Sequence, residues 1–186
     1  MILSFGLVFN VAPHPAGTLW NSAMHTILTL NDDSNIAELI SGGVQAAGFH
    51  SLYTTDSYQA LSLLLNNPID LLIQDIARRD IDVFQFYRLI KSEEQLRDIP
   101  MILFTGYPAV VTNVEREGIP HSCLRKVEFK MDPPKALYVE GYMLLPIDLK
   151  KLPDTIKLTL QKCSRSLLTE KERAIRYQQL WSQPTW

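Results

Sequence analysis

The run Ile69-Asp70-Leu71-Leu72-Ile73-Gln74-Asp75 constrains the fold more than any other stretch of the chain. It follows Pro68, has the apolar run Leu71-Leu72-Ile73 at its centre, and ends on a carboxylate. A short continuous apolar run between turn signals reads as a strand buried on both faces. Strands of that kind belong to parallel sheets, because crossover helices cover both sides of such sheets.

The surrounding pattern agrees. "TILTL" is a short β-rich run that leads into Asn31-Asp32-Asp33-Ser34. A helical stretch follows, with Ile36, Leu39, Ile40 and Val44 on one face and Ser34 or Asp33 as its cap. Gly42 and Gly43 weaken that helix by about 1 kcal/mol each relative to alanine. "SLYTT" reads as a second strand, and Asp56 or Ser57 starts a helix through "YQALSLLLNN". Val83, Phe84, Phe86, Tyr87 and Ile90 form an apolar stripe at helical spacing. "MILFTG" after Pro100 is a fourth strand and "GYMLLP" a fifth. This alternation predicts an α/β fold with a parallel sheet and right-handed crossovers. Open sheets of this class carry their chemistry at the carboxyl ends of the strands. The residues there are Asn31 and Asp32, Asp75, Thr105, and Leu145-Pro146. Asp75 is either the first polar residue after a buried strand or a carboxylate set at a working edge. The gathering of acids and a hydroxyl at one edge favours the second reading.

Composition acts mainly by exclusion. The 186 residues suit one domain with decorations. The net charge of −2 gives no global drive toward nucleic acid or an anionic membrane. No apolar run reaches the roughly 20 residues of a membrane span. No glycine-rich loop follows the first strand, and Asn31-Asp32-Asp33 would repel a phosphate, which argues against a nucleotide-binding enzyme. The expectation is a protein that is not an enzyme. Cys123 and Cys163 have no metal or disulfide spacing and read as reduced thiols of a cytoplasmic protein. His121 with Cys123 offers too few ligands for a metal site. Residues 1–23 carry no charge and read as an amino-terminal extension, with a signal or docking segment as the alternative. Met24 then opens a domain over residues 24–163.

Two decorations stand out. Val127, Phe129 and Met131 alternate with Lys126, Glu128 and Lys130, Asp132-Pro133-Pro134-Lys135 makes a turn, and "ALYVE" returns. This predicts a β-hairpin inserted over about residues 120–140, before the fifth strand, as a cover for the sheet edge or a partner-binding arm. Pro153 restarts the last helix, with Ile156, Leu160 and Cys163 on one face. Residues 164–186 read as a helical extension with a Thr169/Glu172 capping box. Trp181 and Trp186 would anchor it on the domain or on a second copy in a homodimer. "LTEKERAI" is similar to the opening of a helix-turn-helix domain, but too little chain follows to complete one, and no nucleic-acid role is expected.

Four pieces in order resemble the receiver domain of two-component response regulators. They are "ILTLNDDSN", "IDLLIQD", "LRDIPMILFTG" and "GYMLLPIDLKKL", spanning residues 26–162. The resemblance implies a flavodoxin-like, doubly wound sheet of five parallel strands in the order 2-1-3-4-5. It implies Asp75 as the acceptor of a phosphoryl group from a histidine kinase or phosphotransfer protein. It implies Mg2+ held by Asp32, Asn31, Asp75 and the backbone carbonyl of Ala77, with Thr105 and Tyr142 as switch residues. A downstream protein partner would bind the face formed by the fourth helix, fifth strand and fifth helix. Two departures matter. Leu145 stands where the family has a lysine, and Asn31 stands in place of an acid. Arg78 and Arg79 replace small or apolar residues, and are either solvated or the source of a substitute cation. Two readings follow. One is a stand-alone atypical receiver in a phosphorelay, accepting phosphate on Asp75 or switching a partner. The other is a phosphorylation-independent pseudo-receiver scaffold that binds through its hairpin and carboxyl-terminal helix.

Overall fold

A computed structural model describes residues 25–76, 82–106, 109–113, 124–132 and 134–163. The expectations for residues 1–23, Ala77, Arg78, Arg79, His121, Cys123 and the extension 164–186 lie outside the described residues. The elements run β1 (Thr26–Leu30), α1 (Ser34–Ala46), β2 (His50–Thr54), α2 (Ser57–Asn66), β3 (Leu71–Asp75), α3 (Val83–Ser92), β4 (Met101–Thr105), β5 (Ala109–Asn113), β6 (Arg125–Phe129), β7 (Lys135–Val139), β8 (Gly141–Leu144) and α4 (Leu152–Cys163).

Five strands form a parallel sheet in the order β2-β1-β3-β4-β8. The expected 2-1-3-4-5 arrangement is present, with β8 as its fifth strand. All five residues of β3 are buried, because the sheet has a core on each side. On one side Leu28, Leu30, Leu72, Met101 and Leu103 pack with Phe84, Phe86 and Tyr87 of α3. On the other, Ile27, Leu71, Ile73, Ile102 and Phe104 pack with Ile40 and Val44 of α1 and Ile156 and Leu160 of α4. Three helices start on an aspartate whose carboxylate accepts from backbone amides of the first turn: Asp33, Asp56 and Asp82. Each such cap stabilises its helix by about 1 kcal/mol.

Two local readings change. Leu39 is 54 % exposed, and the buried stripe of α1 is Ala37, Ile40, Ser41 and Val44. Ser41 is accommodated inside because its hydroxyl meets that of Ser51 at 2.8 Å. Gly43 has a packing reason: a Cβ there would lie 3.1 Å from Leu152 Cδ2 and 3.3 Å from Leu149 Cδ2. The missing side chain lets the start of α4 approach α1.

The insertion is larger than a hairpin. β6 and β7 form the expected pair, and β5 adds a third antiparallel strand on the far side of β6. Met131 falls past the end of β6 and is exposed. The inserted sheet does more than guard an edge. Its Val127, Phe129, Leu137 and Val139 enter the core that contains α3, and Phe129 meets Phe84 edge to face with ring centroids 5.9 Å apart. Among the described residues no helix lies between β4 and β8; three strands occupy that stretch. The output face implied by the resemblance therefore lacks its fourth helix among the described residues.

Candidate functional site

The carboxyl edge of the parallel sheet gathers the residues expected there. Asp75 ends β3 and is level with Phe104 of β4, which places Thr105 one residue beyond on the adjacent strand. Asp75 is 5 % exposed and Thr105 is fully buried. Asn31 follows β1 directly, is fully buried, and donates from Nδ2 to Asp75 Oδ2 at 3.2 Å. Its Oδ1 accepts from the Asp33 amide at 2.7 Å. Reversing the amide would set oxygen against carboxylate and nitrogen against N–H, so both contacts fix the orientation. Asp32 is exposed beside this pair.

Asn31 thus serves two neighbours at once. Its oxygen closes the turn that starts α1, and its nitrogen holds the Asp75 carboxylate. An acid at this position would meet Asp75 charge against charge, whereas asparagine meets it with a donor. In this arrangement one lone pair of the Asn31 oxygen is taken by the Asp33 amide. Asp32 and Asp75 remain as carboxylates of the set expected for magnesium. Among the described residues no cluster of three or more His, Cys, Asp or Glu side chains suits a metal.

Leu145 lies on the same edge, with its amide donating to the Thr105 carbonyl at 3.0 Å and a cis bond to Pro146. Its apolar side chain packs beside the Ile27 and Ile73 cluster. Tyr142 pairs with Leu103 and therefore shares the face of the sheet occupied by Thr105. Its hydroxyl is buried without a hydrogen-bond partner, and burial raises its pKa above the ordinary 10.0.

Sequence reasoning missed Gln74. It is fully buried next to Asp75, and neither end of its amide has a hydrogen-bond partner. Register places Leu30, Gln74, Leu103 and Tyr142 in one row across four strands. Two polar groups without partners thus flank Leu103, just below the working edge. A polar residue inside an otherwise apolar strand was the available signal, and the sequence showed it plainly.

Comparison with known proteins locates the fold. The chemotaxis response regulator CheY4 of Vibrio cholerae covers 74 % of this chain and all of its own, at 18 % identity and a TM-score of 0.54. A sensor protein from Polaromonas sp. JS666 covers 77 % of this chain, at 22 % identity and a TM-score of 0.56. This is a receiver-domain fold. Among curated relatives, the polar-differentiation response regulator DivK of Brucella abortus is 24 % identical over 82 residues, 44 % of this chain and 67 % of DivK. The transcriptional regulator RpaA of Synechocystis sp. is 24 % identical over 92 residues, half of this chain and only 38 % of RpaA. No family model matches the chain. The chain has no helix among its described residues that is long and apolar enough to cross a membrane.

Proposed function

We propose that the chain is a signalling receiver, without enzymatic turnover of its own, that accepts a phosphoryl group on Asp75 and switches a protein partner. The observation that carries this reading is the placement of Asp75: a nearly buried carboxylate at the end of β3, held by Asn31 and bordered by Thr105 at the end of β4. Phosphoryl transfer to a carboxylate requires positioning and offset of charge more than covalent help from the protein. Asp32 and Asp75 supply two hard oxygen donors, and magnesium commonly binds through one or two carboxylates with water completing its shell. When bound, the ion offsets charge on the phosphoryl oxygens. The donor would be a histidine kinase or a phosphotransfer protein.

The scaffold reading has its own support. Asn31 is neutral and turned toward Asp75, and Leu145 brings no cation to this edge. In that reading the inserted sheet and the carboxyl-terminal helix do the binding and Asp75 is inert. Intact mass after incubation with acetyl phosphate and Mg2+ separates the two. Acceptor chemistry gives a single phosphoryl adduct that disappears in Asp75→Asn. An adduct only on Leu145→Lys favours the scaffold, with a pocket intact apart from its cation.

A further inference from the structure

We infer that Lys135 is the residue through which charge on Asp75 reaches the inserted sheet. The inference rests on the acceptor reading above. It starts from the way β7 lies along α3. Three ties join them at three heights. First, Lys135 Nζ is 3.8 Å from Asp82 Oδ2 and 4.8 Å from the centre of the Phe84 ring. Next, Tyr87 donates its hydroxyl to the Tyr138 carbonyl at 2.6 Å. Last, Lys91 Nζ is 3.9 Å from Glu140 Oε1. The pairs ascend in number on both elements, so β7 and α3 run in the same direction.

That direction fixes where Lys135 sits. Asp82 caps the first turn of α3, the first helix after the strand that ends on Asp75. At the other end the Glu140 amide donates to the Met101 carbonyl at 3.1 Å, at the start of β4. β7 therefore descends from the carboxyl edge, where Asp75 lies, to the amino edge. Lys135 is the end of the inserted sheet that stands at the working edge.

The ties differ in how readily they change. At the amino edge the Lys91 and Glu140 side chains are both fully buried. At the carboxyl edge the Lys135 and Asp82 side chains are 23 % and 39 % exposed. An exposed pair of that kind holds weakly. A carboxylate that gains a phosphoryl group gains negative charge. In the transfer, an Asp75 oxygen forms the new O–P bond while the donor's bond to phosphorus breaks: O–P in acetyl phosphate, where acetate leaves with the electron pair, and N–P in a phosphohistidine, where the imidazole does. Lys135 then moves from Asp82 toward the new charge and carries the upper end of β7 with it. The buried lower tie holds, so the inserted sheet pivots about Glu140.

Hydrogen exchange read by mass spectrometry, with intact mass on the same samples, tests this. The full chain and its Lys135→Met and Asp82→Asn variants are compared with and without acetyl phosphate and Mg2+. Asp82→Asn keeps a good capping residue while removing the charge. The inference expects an adduct on wild type and on Lys135→Met, with a several-fold change of exchange in β6 and β7 only in wild type. It expects Asp82→Asn to exchange faster at the Lys135 end of β7 before any donor is added. An adduct on wild type without a change in β6 or β7 overturns the inference and spares the acceptor reading, as does the same change in Lys135→Met. If Lys135→Met does not fold, unaltered exchange in Asp82→Asn overturns it. No adduct on wild type overturns the acceptor reading and the inference with it.

Discussion

At the amino edge of the parallel sheet, Lys91 and Glu140 meet with both side chains fully buried, whereas at the carboxyl edge Lys135 and Asp82 meet partly in solvent. The two pairs join the same elements, α3 and the stretch from β7 to its end. Their surroundings differ. Lys91 also donates to the carbonyls of Ile99 at 2.7 Å and Arg97 at 3.3 Å, and Glu140 Oε2 accepts from the Met101 amide at 2.6 Å. A buried charge with several fixed partners cannot exchange them without exposing itself to an apolar interior. A half-solvated pair can, because water replaces whatever partner leaves. The amino edge is thus the fixed mount of the inserted sheet, and the carboxyl edge is where a change of charge finds movable parts.

The largest expected effect breaks the fixed mount. Glu140→Ala or Lys91→Ala strands the opposite charge in the interior and should destabilise the chain by about 3–5 kcal/mol. Urea unfolding monitored by circular dichroism measures this. The double variant Lys91→Met/Glu140→Leu should recover most of the loss, since an apolar pair of similar volume has no charge to desolvate. A loss below about 1 kcal/mol in either single variant would put the two edges on the same footing, as exposed pairs behave.

Next in size is the corner where the insertion rejoins the main sheet. A Cβ on Gly141 would lie 2.5 Å from Ile102 Cγ1 and 3.2 Å from Thr159 Oγ1. Gly141→Ala should therefore cost about 1–3 kcal/mol through overpacking. The same unfolding assay reads it. A neutral result would mean that this corner yields, and that the pivot lies elsewhere.

Gln74 sharpens the comparison from the other side. Its amide is buried with both ends lacking partners, so the row just below the carboxyl edge carries unmade hydrogen bonds. Gln74→Met fills a similar volume without the polar atoms and should raise stability by about 1–3 kcal/mol. A thermal melt shows the direction. Destabilisation would mean that the amide finds partners in solution.

Tyr142 shares that row and should give a smaller effect. Removing its unpartnered hydroxyl in Tyr142→Phe should stabilise by up to about 1 kcal/mol at neutral pH. The pH dependence has a definite sign. Burial raises the folded pKa above the ordinary 10.0, so folding favours the protonated phenol. That contribution is complete below the unfolded value and is lost as pH rises through the folded one. Wild type should therefore lose stability in the alkaline range more steeply than Tyr142→Phe, in unfolding curves compared from pH 8 to 11.

These contrasts also show which parts of the molecule were legible in the sequence. β3 and β4 announced themselves because strands buried on both faces carry apolar runs, Leu71-Leu72-Ile73 and Met101-Ile102-Leu103-Phe104, and β8 was legible as the short run before Pro146. α3 was legible from Val83, Phe84, Phe86, Tyr87 and Ile90, all of which are buried. The carboxyl edge followed from strand ends alone: Asn31 and Asp75 meet there, and Thr105 ends the adjacent strand one residue beyond. Leu39 misled because apolar character does not say which face of a helix has a neighbour. β5 escaped because Val110, Val111, Thr112 and Asn113 are all exposed, which leaves no alternation to read. The Lys91–Glu140 pair was hidden for another reason. Its partners are far apart in sequence, and nothing local marks either as buried. The direction of the Asn31 amide was equally invisible, since it depends on Asp33 and Asp75 together.

The smallest effect closes the comparison. Lys135→Met removes the half-solvated tie, and stability should move by no more than about 1 kcal/mol, the usual worth of such a pair. Salt separates the edges further. At about 1 M ionic strength charges are screened within about 3 Å, so exposed pairs lose most of their attraction. The difference between wild type and Lys135→Met should then vanish, while the penalty of Lys91→Ala should persist, because counterions do not enter the interior. A salt-insensitive loss of several kcal/mol in Lys135→Met would make the upper tie as permanent as the lower one. The inserted sheet would then be fixed at both ends, with no part free to answer Asp75.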